Sequence, residues 1–517
     1  MRIPHLSLSS LPGWARLNGI EFFDTAISSS DHGNGIVTTR VLSSVDTFDL
    51  PTLLEVPKDL ILDREFLLEI EKIDPQYKQL RELITIARNN TIQCTVCHEK
   101  EVVCFGYEMN GLGTGTGKCH QCVLSGLSCV RSSIASQSEK DITAGVNNPW
   151  SEYVKFLPKM VPVPTMWNEQ EIDILAGTSL EHVIQAKMST LTREFEDLRE
   201  KTIGIPWCHS CWWGLSGSFL SLELSDWIRL DAWYRSRCLE LPNVGEVMIP
   251  CLDMANHSST SNAYWEQTSN GDVSLILKLN LHLGQGSEIT INYGDSKSDA
   301  ENLFQYGFID ANTNTTSVVL TLEPRNMDPL RLAKLAAFRK PPFIHIYGHE
   351  DGQISWQGPF LYFICLNEDD GLEFKTLQEV DGEHNSLRVF WQGMDVTNFT
   401  DEFERLISGH QLEDVFKLRV ATLLLGRIQR QLERLHHNRR ALDNSLDVAG
   451  ISTQTRHHAV KLREIEIDVL EVAYSTVNDE KLKLQESESV CQYLRLAQSS
   501  AEETPDVQET NEEDDFS

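Results

Sequence analysis

An acid, an amide and an imidazole fall within five positions in the stretch LDMANHSS, as Asp253, Asn256 and His257. The approach is apolar, with VMIPCL running straight into the cluster. Such side chains offer hydrogen-bond donors and acceptors at close quarters. The same residues could equally form a plain turn held by local side-chain bonds. Further on, GSEITINYG sets Ile289, Ile291 and Tyr293 on one face of a strand. A tyrosine there is either a core residue or a phenol presented to a reaction. Near the start, Gly33-Asn34-Gly35 is either a simple turn or a place where backbone comes close to a ligand. Arg237, in YRSRCLEL, reads by itself as a surface arginine.

The elements that must position these residues alternate in type. Residues 15 to 65 read as short strands and turns, and 66 to 90 as helix. From NPWSEYVKFLP to about residue 245 the pattern is helical, rich in Trp and Leu. Strands then return: in DVSLILKLNLHL, Val273, Leu275, Leu277, Leu279 and Leu281 alternate with mostly polar residues, which predicts one half-buried strand. The segment 359 to 437 reads as long helices, with Leu412, Phe416, Val420, Leu424, Ile428, Leu432 and Leu435 on one apolar stripe. Leu462, Ile465, Val469 and Ala473 repeat the pattern. The end, AEETPDVQETNEEDDFS, carries eight acids and no base, the composition of a disordered tail.

Composition narrows the classes. The chain has 517 residues, enough for two or three domains, and 41% are hydrophobic, as in an ordinary globular protein. No run of 18 or more uncharged apolar residues predicts a membrane span, and the N-terminus does not read as a secretory signal. A formal net charge of −31 argues against bulk attraction to nucleic acid or anionic membrane.

Five motifs in order carry a resemblance. They are Gly33-Asn34-Gly35, WSEYVKFLP at 150–158, DMANHS at 253–258, GSEITINYG at 286–294, and Tyr306-Gly307-Phe308. Together the set resembles the SET-domain methyltransferases, in the branch of the Rubisco large-subunit lysine methyltransferase. The resemblance covers about residues 15 to 312. It implies an α+β fold: a SET domain of small β-sheets with a pseudoknot, carrying a helical insertion (150–245). An all-α, substrate-binding-like domain (320–495) and an acidic tail (496–517) would follow. It also implies an S-adenosylmethionine-dependent protein-lysine N-methyltransferase. Gly33, Asn34 and Gly35 would lie against the methionine part of the donor, and Asn256 and His257 would bind donor and adenine. Asp253 would orient that turn, and Arg237 would stand at the cofactor end. Tyr293 would be the catalytic phenol and Tyr306 a second aromatic wall beside the cofactor. Because an unperturbed tyrosine titrates at about 10, Tyr293 need only orient the amine.

Six of the twelve cysteines form a repeated half-motif, Cys94-x2-Cys97-x6-Cys104 and Cys119-x2-Cys122-x6-Cys129. Six thiolates so spaced can hold two zinc ions through shared sulfurs; free structural thiols are the alternative. The spacing resembles the fungal binuclear zinc cluster. However, CTVCHEKEVVC is not basic and FGYEMNGLGTGTGK is long and glycine-rich, which argues against DNA contact. The block (94–129) reads as a zinc-stabilised insertion ahead of a linker at 130–148. GLGTGTGKC is not a phosphate loop, since no Ser or Thr follows the lysine. Cys208 and Cys211 read as buried thiols beside Trp207, Trp212 and Trp213.

The expected partner is therefore a protein substrate, in the first place a non-histone one. The acidic surface predicts a basic one, such as a ribosomal protein or histone tail, presented to a monomeric enzyme of cytoplasm or nucleus. The resemblance leaves histidine open as an acceptor beside lysine. A non-catalytic SET-fold adaptor, or a zinc-cluster regulator, is the competing class.

Overall fold

The structure, a computed structural model, describes residues 5–80 and 148–502, except 31–32, 46–49, 215–220, 243, 295–296, 311–315, 323–327, 339, 341, 350, 379–384 and 445–449. The cysteine block (Cys94, Cys97, Cys104, Cys119, Cys122 and Cys129), most of the linker and the tail beyond 502 lie outside the described residues. Two compact units divide the chain. One comprises Met1–Val318 with Leu435–Glu466, and the other Val319–Arg434 with Ile467–Ser517.

The first unit is built on small sheets. Its strands are β1 (Glu21–Phe22), β2 (Thr25–Ser30), β3 (Gly33–Thr38), β4 (Leu42–Ser44), β5 (Thr52–Val56), β6 (Cys238–Leu241), β7 (Gly245–Met248), β8 (Asn256–His257), β9 (Ala263–Gln267), β10 (Val273–Leu277), β11 (Leu281–Leu283) and β12 (Glu288–Ile291). One sheet runs β1-β5-β10-β9 and another β2-β3-β12-β8, while β11 pairs with β4 and β6 with β7. In the second sheet β12 is antiparallel to β3, setting Ile289 opposite Ile36, and parallel to β8, setting Thr290 opposite Asn256 and Ile291 opposite His257.

The single half-buried strand expected at Val273–Leu281 is instead two short strands. All five residues of β10 are buried, because β5 and β9 flank it on both edges and the core covers both faces. The strand stops where Asn280 adopts φ +61° and donates its N–H to the Ser44 carbonyl at 2.6 Å, after which β11 joins β4. The helical pattern expected up to about 245 ends at Arg237 and gives way to the β6–β7 hairpin.

Two helices buttress the sheets, Leu180–Thr202 and Leu224–Arg237. Lys187 on the first pairs with Asp231 on the second at 2.5 Å, and both side chains are almost fully buried. Arg235 reaches the same carboxylate at 3.2 Å, so Asp231 meets two cations inside the core. This triad fixes the register of the second helix, and so the place of Arg237 in its last turn. The WSEYVKFLP segment is held by indole donors. Trp150 Nε1 donates to the Leu60 carbonyl at 3.0 Å, and Trp233 Nε1 to the Pro158 carbonyl at 2.7 Å.

Of the two thiols expected to be buried near the tryptophans, Cys208 is buried, and burial pushes its thiol up to about 12. Cys211, the last residue of the short helix Pro206–Cys211, is exposed, because the helix ends there and leaves its side chain uncovered.

From Thr316 onward the chain contains helices, as expected from the sequence, but also two three-stranded sheets, so this part is not all-α. Its β-hairpin pairs Leu372–Gln378 with Asn385–Trp391, inside the span read as long helices. The long helix Glu413–Asn444 begins only after it, and there Phe416, Val420, Leu424 and Ile428 are buried, as the stripe predicted. The last helix extends to Glu502, so residues 496–502 are helical rather than part of a disordered tail. No helix among the described residues is long and apolar enough to cross a membrane.

Candidate active site

Parallel pairing of β8 with β12 brings the NHS segment and the YG segment side by side although they are far apart in sequence. The chain reaches β8 through a tight bend. Cys251 adopts φ +68°, a conformation unusual for a residue with a side chain. Its N–H donates to the Tyr153 hydroxyl at 2.8 Å. That hydroxyl in turn donates to the Asp253 carboxylate.

The Asp253 side chain is wholly buried and holds Arg237. The guanidinium Nη1 reaches its Oδ2 at 3.0 Å and its main-chain carbonyl at 3.1 Å. Burial pushes the Asp253 carboxyl above its ordinary range, while Arg237 and Tyr153 pull it down. For Arg237 burial opposes the charge, but Asp253 outweighs it and holds the guanidinium more firmly protonated. A charge pair with extra hydrogen bonds is how such groups tolerate burial.

The bend delivers Asn256 and His257 onto β8. Asn256 Nδ2 donates to Glu288 Oε1 at 2.7 Å and to the Asn34 carbonyl at 3.5 Å. One side chain thus ties the start of β3 to the first residue of β12. Gly33-Asn34-Gly35 is not a turn, because all three residues pair in β3 opposite Ser28–Ser30 of β2. Gly33 and Asn34 are exposed and Gly35 is buried. Gly33 has φ +107°, where a residue with a Cβ is strained.

The His257 ring makes two protein bonds. Its Nδ1 accepts the Tyr293 N–H at 3.1 Å, and its Nε2 lies 3.3 Å from Asp310 Oδ2. The ring stacks on Phe308 with centroids 5.3 Å apart. Tyr293 contacts Tyr306 at 4.6 Å and His257 at 5.2 Å, and Tyr306 stacks on Phe308 at 5.9 Å. Four rings therefore form one cluster. Within it the Tyr293 hydroxyl donates to the Ala255 carbonyl at 2.7 Å. Burial pushes the Tyr293 phenol above its ordinary value and does the same to Tyr306. Both stay protonated donors near neutral pH.

Gly307 makes the turn that lets Tyr306 and Phe308 flank the cluster. It has φ +83°, and a Cβ there would stand 2.6 Å from the carbonyl carbon and oxygen of Pro162. Lys297 completes the rim, donating to the Tyr293 carbonyl at 2.8 Å.

The structure thus brings together Gly33, Asn34, Arg237, Asp253, Asn256, His257, Tyr293 and Tyr306, with Gly35 beside Asn34 on β3. Sequence reasoning gave no role to Tyr153, Glu288 or Asp310. The first two lie inside quoted motifs, so a signal was present. Asp310 is 53 positions from His257, and nothing in its neighbourhood marks it. Among the described residues, no group of three or more His, Cys, Asp or Glu side chains could hold a metal ion.

The chain is 30% identical over 351 residues to SET domain-containing protein 8 of Schizosaccharomyces pombe, covering 67% of this chain and 75% of that one. This chain belongs to the SET-domain methyltransferase family. Its relatives include [fructose-bisphosphate aldolase]-lysine N-methyltransferase of Arabidopsis thaliana, 29% identical over 35% of this chain and 37% of that one. The Rubisco large-subunit N-methyltransferase of Pisum sativum is 26% identical, over 44% of this SET-family chain and 48% of the pea enzyme. No family model matches the chain. Among solved structures, Rubisco LSMT bound to AdoMet shares the fold with a TM-score of 0.59 at 18% identity, covering 93% of this chain and 94% of that one. The SET domain of LSMT bound to lysine and AdoHcy has a TM-score of 0.58 at 18% identity over the same shares.

Proposed function

We propose that this SET-family chain is an S-adenosylmethionine-dependent protein-lysine N-methyltransferase acting on a non-histone protein. The observation that carries the reading is the ring cluster of Tyr293, Tyr306, Phe308 and His257 where β8 pairs with β12, next to Asn256, which bonds to the Asn34 carbonyl of β3. The donor fits these residues. A polar edge, made by the exposed Gly33–Asn34 backbone and Asn256, suits its adenosine and amino-acid ends. Aromatic faces suit a sulfonium cation. When bound, the donor supplies an electrophilic methyl group.

The chain's own part is alignment and the exclusion of water. Gly33, Asn34 and Gly35 would let backbone approach the donor, and Asn256 would hold that edge to β12. His257 has both ring nitrogens bonded to protein, so its main chain is the part offered to the donor. Arg237 and Asp253 would fix the bend that leads into this strand. Tyr293, protonated and anchored at Ala255, would orient the acceptor amine and tolerate the positive methyl. Tyr306 would form the opposite wall. Tyr293 is not the base; an amine that arrives neutral needs none.

The chain's negative charge favours a basic segment of the substrate protein. Weakened capture at high salt is the expected mark of that preference, and salt-independent capture would remove it. The six-cysteine block supports a structural zinc insertion by its spacing alone; metal analysis of the purified chain tests it.

Calorimetric titration with S-adenosylmethionine, on the wild type and on Asn256→Ala, tests the central reading. Micromolar binding that weakens sharply in the variant supports it. Absence of binding by folded wild-type protein overturns it and leaves an interaction protein of SET fold.

A further inference from the structure

We infer that Asp310 is a positioning residue for Tyr293, acting through the His257 ring. The role, though not the geometry, rests on the function proposed above. A main-chain N–H can only donate, so the Tyr293 amide, 3.1 Å from His257 Nδ1, requires a lone pair there. A neutral imidazole then carries its one proton on Nε2. That nitrogen lies 3.3 Å from Asp310 Oδ2, which accepts the proton's hydrogen bond and so selects this tautomer. Both side chains are about nine-tenths buried, which limits replacement of either bond by water.

The opposite tautomer, and the doubly protonated ring, would each turn an N–H toward the Tyr293 N–H. The anchor would be lost in both cases. Tyr293 depends on that anchor because strand β12 ends at Ile291, two residues before it. Among the described residues its other main-chain hydrogen bond, from Lys297 to its carbonyl, comes from a long flexible side chain. The phenol is held at its far end by the Ala255 carbonyl. Asp310 thus completes a closed path: Asp310 to the His257 ring, the ring to the Tyr293 backbone, and the Tyr293 hydroxyl back to the residue just before β8. The arrangement matches a metal ligand oriented by an outer carboxylate, with a backbone amide in place of the metal.

Selective 15N labelling of histidine in the full chain tests the inference at pH 7.5, with His257→Gln providing the assignment. Wild-type His257 is expected as a single neutral form with its proton on Nε2. In Asp310→Leu, which has similar size and no acceptor, both tautomers are expected. Exchange of the Tyr293 amide should then quicken by about tenfold, the effect of losing one hydrogen bond. Asp310→Asn keeps an acceptor oxygen and should restore both signals. A wild-type ring protonated on Nδ1, or at both nitrogens, overturns the inference without any variant having to fold. An Asp310→Leu protein that keeps the wild-type tautomer and exchange rate overturns it too. Donor binding is not used as a readout, so loss of the enzyme reading and loss of this inference can be told apart.

Discussion

His257 Nδ1 accepts the main-chain N–H of Tyr293 at 3.1 Å across 36 positions of sequence. This bond joins the NHS segment to the YG segment. It makes the histidine a support for the tyrosine, while the asparagine beside it reaches the other way, to Asn34 and Glu288. Under the proposed function, donor recognition and support of the catalytic phenol would fall to adjacent residues of a two-residue strand.

If the Tyr293 hydroxyl orients the acceptor, Tyr293→Phe should retain the fold and the donor affinity while losing methyl transfer. The expected loss is about 100-fold or more in kcat, the scale seen when one preorganised hydrogen-bonding group is removed from a reaction centre. Label transfer from S-adenosylmethionine, set beside calorimetric donor binding, checks it. Equal losses in binding and turnover would count against the assigned role.

Arg237→Ala leaves the Asp253 side chain wholly buried beside Tyr153 without its cation. Breaking a buried pair in this way costs about 3–5 kcal/mol. Urea unfolding should therefore show a large fall in midpoint. Replacing both members together, Arg237→Met with Asp253→Leu, should cost less than Arg237→Ala, because no lone charge remains.

Gly307 sits at φ +83° with Pro162 backbone against it. Gly307→Ala should lower stability by at least about 1–2 kcal/mol, from backbone strain and the clash together. The aromatic cluster should loosen with it, since Tyr306 and Phe308 flank the turn. Thermal unfolding and tyrosine fluorescence read the two effects separately.

Asp299 is buried, and neither carboxyl oxygen meets a hydrogen-bond donor. Burial pushes its carboxyl up to about 6, with Lys461 opposing the rise and Asp310 adding to it. A raised carboxyl favours the folded state while protonated. Its contribution is full below the unfolded value near 4 and is lost as pH rises through about 6. Asp299→Asn should therefore change little at pH 4 and stabilise by up to about 3 kcal/mol at pH 8, since every tenfold change in proton affinity is worth about 1.4 kcal/mol. Melting temperatures across that pH range check the sign; a benefit at pH 4 that vanished at pH 8 would contradict it.

The sequence by itself determined the order of the chemistry. Five short motifs, each ambiguous alone, stand in the order Gly33-Asn34-Gly35, WSEYVKFLP, DMANHS, GSEITINYG and Tyr306-Gly307-Phe308, and this order was enough to imply the fold family and to nominate Tyr293 as the candidate catalytic phenol. It also determined what depends on near neighbours. The stripe through Phe416, Val420, Leu424 and Ile428 is buried because a helix repeats its faces every three to four residues.

Tertiary structure decided what depends on distant partners. The alternation of Val273 to Leu281 suggested one half-buried strand, but strands β5 and β9 on both sides, and the Asn280 bend toward Ser44, turned it into a buried strand and a separate short one. Cys211 is exposed because a short helix happens to end there. The partners of His257 lie 36 and 53 positions away, and no local pattern encodes either pairing. Hydrophobic periodicity is a property of adjacent residues and can be read along the chain. Which acceptor meets which donor is fixed only when the β8 and β12 strands lie parallel, so the tautomer of His257, and with it the anchoring of Tyr293, belongs to the folded molecule.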